Sequence, residues 1–295
     1  MAGRTRHRGL LTGAVLFALV VAGSQSVQAH GELLIRIADA TRQIEAATNR
    51  AELYLARGEL YREDQNWAAA EADYARAAQL DPRLAAVDFC RAKMLADAGR
   101  LEPARALFDK VVARSPDNGG ALIGRARVLV RLDQRKLAIA DFQRALKLLP
   151  APEPECFLEL AQALVVEQQL AAALRGLDDG IGRLGPIVTL QAYAVELELE
   201  RKNYEAAVAR LDTIIGPAAR KENWLARRGE ILLMASRPTE ARDSFEAALL
   251  AIGRLPLRLQ QLPHMLKLQA RINAALIGIM TAPGAGTVAT KQASN

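Results

Sequence analysis

AELYLARGELYREDQNWAAAEADYARAAQLDP, residues 51–82, reads as two amphipathic helices joined by a short turn. Its small residues carry the information. Gly58 and Ala70 stand where two antiparallel helices must approach closely, and Tyr54, Tyr61, Trp67 and Tyr74 supply bulk around them. Ala77 and Pro82 close the stretch, because proline cannot continue the helix before it.

The second half of this pattern recurs down the chain as Ala70/Tyr74, Ala104/Phe108, Ala138/Phe142, Ala173/Leu177, Ala207/Leu211 and Ala241/Phe245. The steps are 34, 34, 35, 34 and 34 residues, and Pro82, Pro116 and Pro150 keep the same stride. In the first half the small position is filled by Gly58, Ala92, Ala126, Ala161 and Gly229; Val195 in the fifth copy predicts looser packing there. Composition alone does not fix such a register, so the recurrence argues against a helical bundle that is merely rich in alanine.

A large residue, then Gly58, Tyr61, Ala70-x-x-x-Tyr74 and Pro82 resembles the tetratricopeptide repeat (TPR). Arg57 stands where that family usually has leucine. The resemblance implies an all-α, right-handed α-solenoid of about six helical hairpins over residues 51–255, starting near 51, 85, 119, 154, 188 and 222. Residues 32–47 put Leu33, Ile37, Ala40 and Ile44 on one stripe, so 30–50 is expected to be a half-repeat capping helix. Leu259, Leu262, Leu266, Ile272, Leu276 and Ile279 mark a C-terminal capping helix within 256–280, and 281–295 reads as a disordered tail.

Residues 1–29 carry the pattern of a Sec-type signal peptide: Arg4, Arg6 and Arg8, an apolar run over 10–22, then Val27-Gln28-Ala29 as a cleavage site. That run is shorter than the ~20 residues of a membrane-spanning helix. Export to the periplasm or cell envelope is therefore expected, with the mature chain beginning at His30 and no stable membrane span. Cleavage would lower the net charge from +6 to +3 by removing three arginines. So small an excess does not argue for nucleic acid.

Cys90 and Cys156 lie a whole repeat apart in the repeat register, and two helix steps of about 9 Å exceed the ~7 Å Cα limit of a disulfide, so two separate thiols are expected. No glycine-rich phosphate loop or clustered metal-ligand motif is evident, and the carboxylates scatter at helical spacing. Neither catalysis nor a cofactor is expected. His30 at a new N-terminus offers an amine and an imidazole, the elements of a copper-binding histidine brace, and a copper-handling role is the second alternative reading.

In the repeat family the first helix of each hairpin lines the concave surface. Carried onto this chain, positions 5 and 9 of the repeats imply a partner-binding groove built from Leu55, Glu59, Phe89, Lys93, Ile123, Arg127, Leu158, Gln162, Glu196 and Glu230. An apolar line (Leu55, Phe89, Ile123, Leu158) runs beside a basic pair, Lys93 and Arg127, flanked by acidic residues. That pattern suits a peptide or protein with apolar anchors and an acidic centre. The expected function is a non-enzymatic protein-interaction scaffold; the first alternative is a structural part of an envelope or export complex.

Overall fold

The computed structural model describes residues 30–281. The expected signal peptide, 1–29, and residues 282–295 of the expected tail lie outside the described residues; Thr281 ends a helix. Among the described residues every regular element is a helix. The chain divides into two compact units at Leu149/Pro150.

The first unit holds α1 (30–46), α2 (Ala51–Glu63), α3 (Trp67–Leu80), α4 (Ala86–Asp97), α5 (Leu101–Arg114), α6 (Gly119–Arg131) and α7 (Arg135–Leu148). Helices α2–α3, α4–α5 and α6–α7 pair as hairpins, and each hairpin packs on the next through α3·α4 and α5·α6. The first helices are also neighbours, α2 of α4 and α4 of α6, which sets a row of parallel crevices along one face. Helix α1 buries Ile37 and Ile44 and is tied to α2 by Arg36–Glu63 and by Arg57, which donates to Thr41.

The second unit holds α8 (Pro154–Val166), α9 (Leu170–Leu184), α10 (Val188–Glu200), α11 (Tyr204–Ile215), α12 (Glu222–Met234), α13 (Pro238–Gly253), α14 (Leu257–Gln260) and α15 (Pro263–Thr281). Its hairpins are α8–α9, α10–α11 and α12–α13, and α15 lies against α12 and α13. The apolar face of α15 differs from the sequence expectation. Met265, Leu268 and Ile272 are buried, with Leu276 and Ile279 partly covered, while Leu262 and Leu266 are exposed. The separate turn α14 and the restart at Pro263 break the helical phase before α15 begins, so the stripe cannot run on from Leu259 and Leu262.

Backbone geometry repeats as strictly as the sequence does. Gln65, Gly99, Asp133, Gln168, Lys202 and Ser236 all have positive φ, in steps of 34, 34, 35, 34 and 34 residues. The residue after each donates its N–H to the carbonyl five residues back, as in Asn66 to Tyr61 and Arg237 to Leu232 (2.8 and 2.9 Å). This is the Schellman ending of a first helix, which satisfies carbonyls that the helix leaves open. A glycine serves this left-handed position without a Cβ penalty only at Gly99; elsewhere the hairpin imposes it.

The hairpin interiors follow the small-against-large rule. Ala70, Ala104, Ala138, Ala173, Ala207 and Ala241 have no exposed surface, and Tyr74, Phe108, Phe142, Leu177, Leu211 and Phe245 are at most 1 % exposed. A Cβ on Gly58 would sit 2.6 Å from the Tyr74 ring, and one on Gly229 2.7 Å from Phe245. In the fifth hairpin Val195 and Leu211 are both buried: a larger residue at the small position is matched in register by a smaller one opposite. Ala138→Leu should therefore overpack α6 against α7 and cost about 1–3 kcal/mol, read as a fall in the urea midpoint. An unchanged midpoint would mean that the Ala138 contact has room to spare.

Arginine at position 7 of the repeat, where the family usually has leucine, forms a second device. Arg57 donates to both Asp73 oxygens (2.8 and 2.7 Å) and to Thr41 (3.1 Å). Arg125 donates to both Asp141 oxygens (2.7 Å each) and to Asp109 (2.9 Å). Arg228 donates to Asp212 (2.8 Å) and Ser244 (2.7 Å). Each reaches 16 residues forward and 16 back, so one guanidinium fork ties the second helix of its own hairpin to the helix before it.

Candidate functional site

The crevice between α4 and α6 has a pocket at each end. At the C-terminal end of these helices a cleft of about 380 Å³ is lined by Arg62, Lys93, Ala96, Asp97, Phe108, Gly124, Arg127, Val128 and Arg131. At the other end a pocket of about 220 Å³ is lined by Ala85, Ala86, Phe89, Val111, Arg114, Ser115 and Asn118. Helix α5 floors the crevice through Val111 and Phe108, and the Phe89 ring meets Phe108 edge-on at 6.1 Å. Gly124 is required by that floor: a Cβ there would lie 2.5 Å from the Phe108 ring. Asn118 caps α6 by accepting the Ala121 N–H at 2.9 Å, which fixes the rim of the smaller pocket.

The basic cleft is braced from within. Glu59 accepts from the Lys93 ammonium and from the Tyr74 hydroxyl, each at 2.6 Å, and from Arg62 at 3.3 Å. Arg62 also reaches Asp97 at 2.5 Å, and Arg131 donates to the Ala96 carbonyl at 2.6 Å. Burial pushes the Glu59 carboxyl up, but the Lys93 and Tyr74 hydrogen bonds outweigh it and hold the group below its ordinary value. Burial and the adjoining Glu59 charge push the Cys90 thiol up to about 12, so it stays protonated as a small apolar side chain. Lys93 also stands 5.6 Å from the Phe89 ring centroid, joining the apolar and basic parts of the crevice. Arg62, Lys93, Arg127 and Arg131 thus gather at the cleft, where Asp97 pairs with Arg62 and Glu59 with Lys93.

No family model matches the sequence, and no curated protein matches it. Solved structures do. The C-terminal part of a TPR repeat-containing protein from Cytophaga hutchinsonii aligns with TM-score 0.60 over 82 % of this chain and 98 % of its own, at 14 % identity. PilF of Pseudomonas aeruginosa aligns with TM-score 0.53 over 76 % and 96 %, at 15 % identity. YrrB, described as a TPR protein with an unusual peptide-binding site, aligns with TM-score 0.50 over 67 % and 97 %, at 19 % identity.

The fold is the tetratricopeptide-repeat fold. In TPR terms, positions 9 and 13 of the second and third repeats build the basic cleft: Lys93 and Arg127, then Asp97 and Arg131 one turn on. Sequence reasoning singled out Lys93 and Arg127 but missed Asp97 and Arg131. Their signal was available, since they lie 34 residues apart and four after the residues chosen, on the same helix face.

Other groove candidates fall differently. Leu55 and Phe89 are half-buried, whereas Ile123 is 9 % exposed and serves packing, so the expected apolar line is interrupted at α6. Glu59 spends its charge on Lys93, Arg62 and Tyr74 instead of offering it to a ligand. In the second unit Leu158 is half-buried and Gln162 exposed. Glu196 accepts from Arg227 (3.0 and 2.9 Å), and Glu230 pairs with Arg227 (3.3 Å) and with Arg271 of α15 (3.0 Å), so both acids are neutralised locally.

His30 opens α1 with Nδ1 3.2 Å from an Asp64 oxygen. Among the described residues no group of three or more His, Cys, Asp or Glu side chains is placed to hold a metal ion. Also among the described residues, no helix is long and apolar enough to cross a membrane.

Proposed function

We propose that this TPR chain is a non-enzymatic protein-interaction scaffold, exported to the periplasm or cell envelope, that holds a partner in the α4/α6 crevice of its first unit. The observation carrying this reading is the cleft where Arg62, Lys93, Arg127 and Arg131 gather, with Asp97, over an apolar floor. An acidic partner segment would gain attraction there and a basic one would be refused. Export rests on the pattern of residues 1–29, and intact mass of the envelope-fraction protein tests it: a chain beginning at His30 is expected.

Crosslinking and mass spectrometry in the native envelope test the scaffold reading. A defined partner should crosslink to residues lining the crevice, and Lys93→Glu/Arg127→Glu should abolish those crosslinks while keeping wild-type helix content, with a lower urea midpoint because Glu59 loses its Lys93 partner. Undiminished crosslinking by the double variant would overturn groove binding. It would favour the structural-assembly reading, to which the exposed Leu266, Ile277 and Met280 of α15 give some support.

A further inference from the structure

We infer that the outward face of α15 is a membrane-surface contact. It lies flat on an anionic bilayer, with Leu266, Ile277 and Met280 at the acyl boundary and Arg258 and Lys267 among the headgroups. This goes beyond the scaffold reading and does not depend on the crevice.

Helix α15 has two apolar faces. The inner one, Met265, Leu268 and Ile272, covers α12 and α13. The outer one is the row Leu266, Ala270, Asn273, Ile277 and Met280, which recurs at helical spacing and is exposed throughout. Leu266, Ile277 and Met280 are 50, 61 and 67 % exposed. A helix that merely closes a solenoid turns a polar face outward, so this second face calls for a partner. From 266 to 280 it runs about 21 Å, at ~1.5 Å per residue. With its inner face held by α12 and α13, α15 can lie on a bilayer but not enter it.

Charge decides the occupant. Residues 247–281 contain Arg254, Arg258, Lys267 and Arg271 and no Asp or Glu. Arg271 is held by Glu230 of α12 at 3.0 Å. Arg258 and Lys267 are exposed. Lys267 follows Leu266 in the chain, so it stands about 100° round the helix from the row. From there its ammonium reaches headgroup phosphates while its carbon stem lies along the apolar edge. A second copy of the chain would set one acid-free helix against another, cation towards cation. The row is also uneven, with small Ala270 and polar Asn273 between its large ends. A fluid lipid boundary fills such a gap, whereas a protein partner must match its shape.

The test uses the processed chain, residues 30–295, so that the apolar run over 10–22 cannot itself bind lipid. Partition is measured by co-sedimentation with vesicles of phosphatidylglycerol and phosphatidylethanolamine, and with vesicles of phosphatidylcholine. Binding should favour the anionic vesicles and weaken as salt is raised. Leu266→Gln/Ile277→Gln should lower partition about tenfold with helix content and urea midpoint unchanged, because both side chains are exposed. Arg258→Gln/Lys267→Gln should lower it roughly thirtyfold on anionic vesicles and leave phosphatidylcholine binding as it was. Absence of partition, equal partition on both vesicles, or partition undiminished by Leu266→Gln/Ile277→Gln would overturn the inference. A dimer seen by light scattering that this variant dissociates, without vesicle binding, would assign the face to a second copy instead. Crevice crosslinks should persist in Leu266→Gln/Ile277→Gln, so failure of the membrane contact and failure of the scaffold reading are separately visible.

Discussion

Replacing Tyr74 with alanine should destabilise the protein by about 3–5 kcal/mol, the range for deleting a fully buried aromatic ring from a packed core. Tyr74 has no exposed surface and fills the space left by Gly58, where even a Cβ would collide with its ring. The loss is not only apolar. Its hydroxyl donates to Glu59 at 2.6 Å, and that carboxylate in turn holds Lys93 in the basic cleft. Tyr74→Phe separates the two contributions: the ring stays, and the loss should fall to about 1.5–3 kcal/mol, as for a hydrogen bond to a charged group.

The pH dependence carries the same signature. Glu59 is held below its ordinary value of 4.5, so its contribution to stability is present above that pH and is lost as pH falls below it. Removing the Tyr74 hydroxyl brings the carboxyl back toward its ordinary value. Tyr74→Phe should therefore be weakest relative to wild type near neutral pH, with the two curves converging in acid. Urea denaturation followed by circular dichroism from neutral to acid pH measures both. A constant difference at every pH would mean that the hydroxyl does not act through Glu59.

Asp141→Ala should cost about 2–3 kcal/mol. Breaking a buried ion pair from one side typically costs ~3–5 kcal/mol, reduced here because Arg125 keeps Asp109 and is itself 20 % exposed. The alanine leaves a guanidinium fork wedged between helices with its two best acceptors gone. Replacing both members, Arg125→Leu/Asp141→Leu, should recover most of the loss, because paired apolar side chains need no desolvated charge. A double variant as unstable as Asp141→Ala would show that the site cannot repack without the ion pair.

That arginine row shows where sequence reading stopped. Arg57 was visible as a departure from the family's leucine, yet a lone substitution gives no hint of its partners. The partners lie 16 residues away in both directions, on helices that come together only once the hairpins stack. The interruption of the apolar line at Ile123 has a similar origin. The family resemblance led position 5 to be expected in the groove; Phe89 does line the smaller pocket, but how much of a side chain shows depends on its neighbours, and at Ile123 little does.

The hairpins themselves were legible in the amino-acid sequence, because a close helix crossing needs a small residue opposite a large one and that need recurs every 34 residues. Gly58 against Tyr74 and Ala126 against Phe142 are local requirements, set within about 16 residues of chain. Tertiary structure alone decided what the charges do. Glu59, Glu196 and Glu230 look like acids available to a ligand when written in a line; in three dimensions cations from neighbouring helices, Lys93 among them, neutralise them. Packing periodicity is a property of the chain's own neighbours, but electrostatic balance depends on distances between helices that sequence order does not contain.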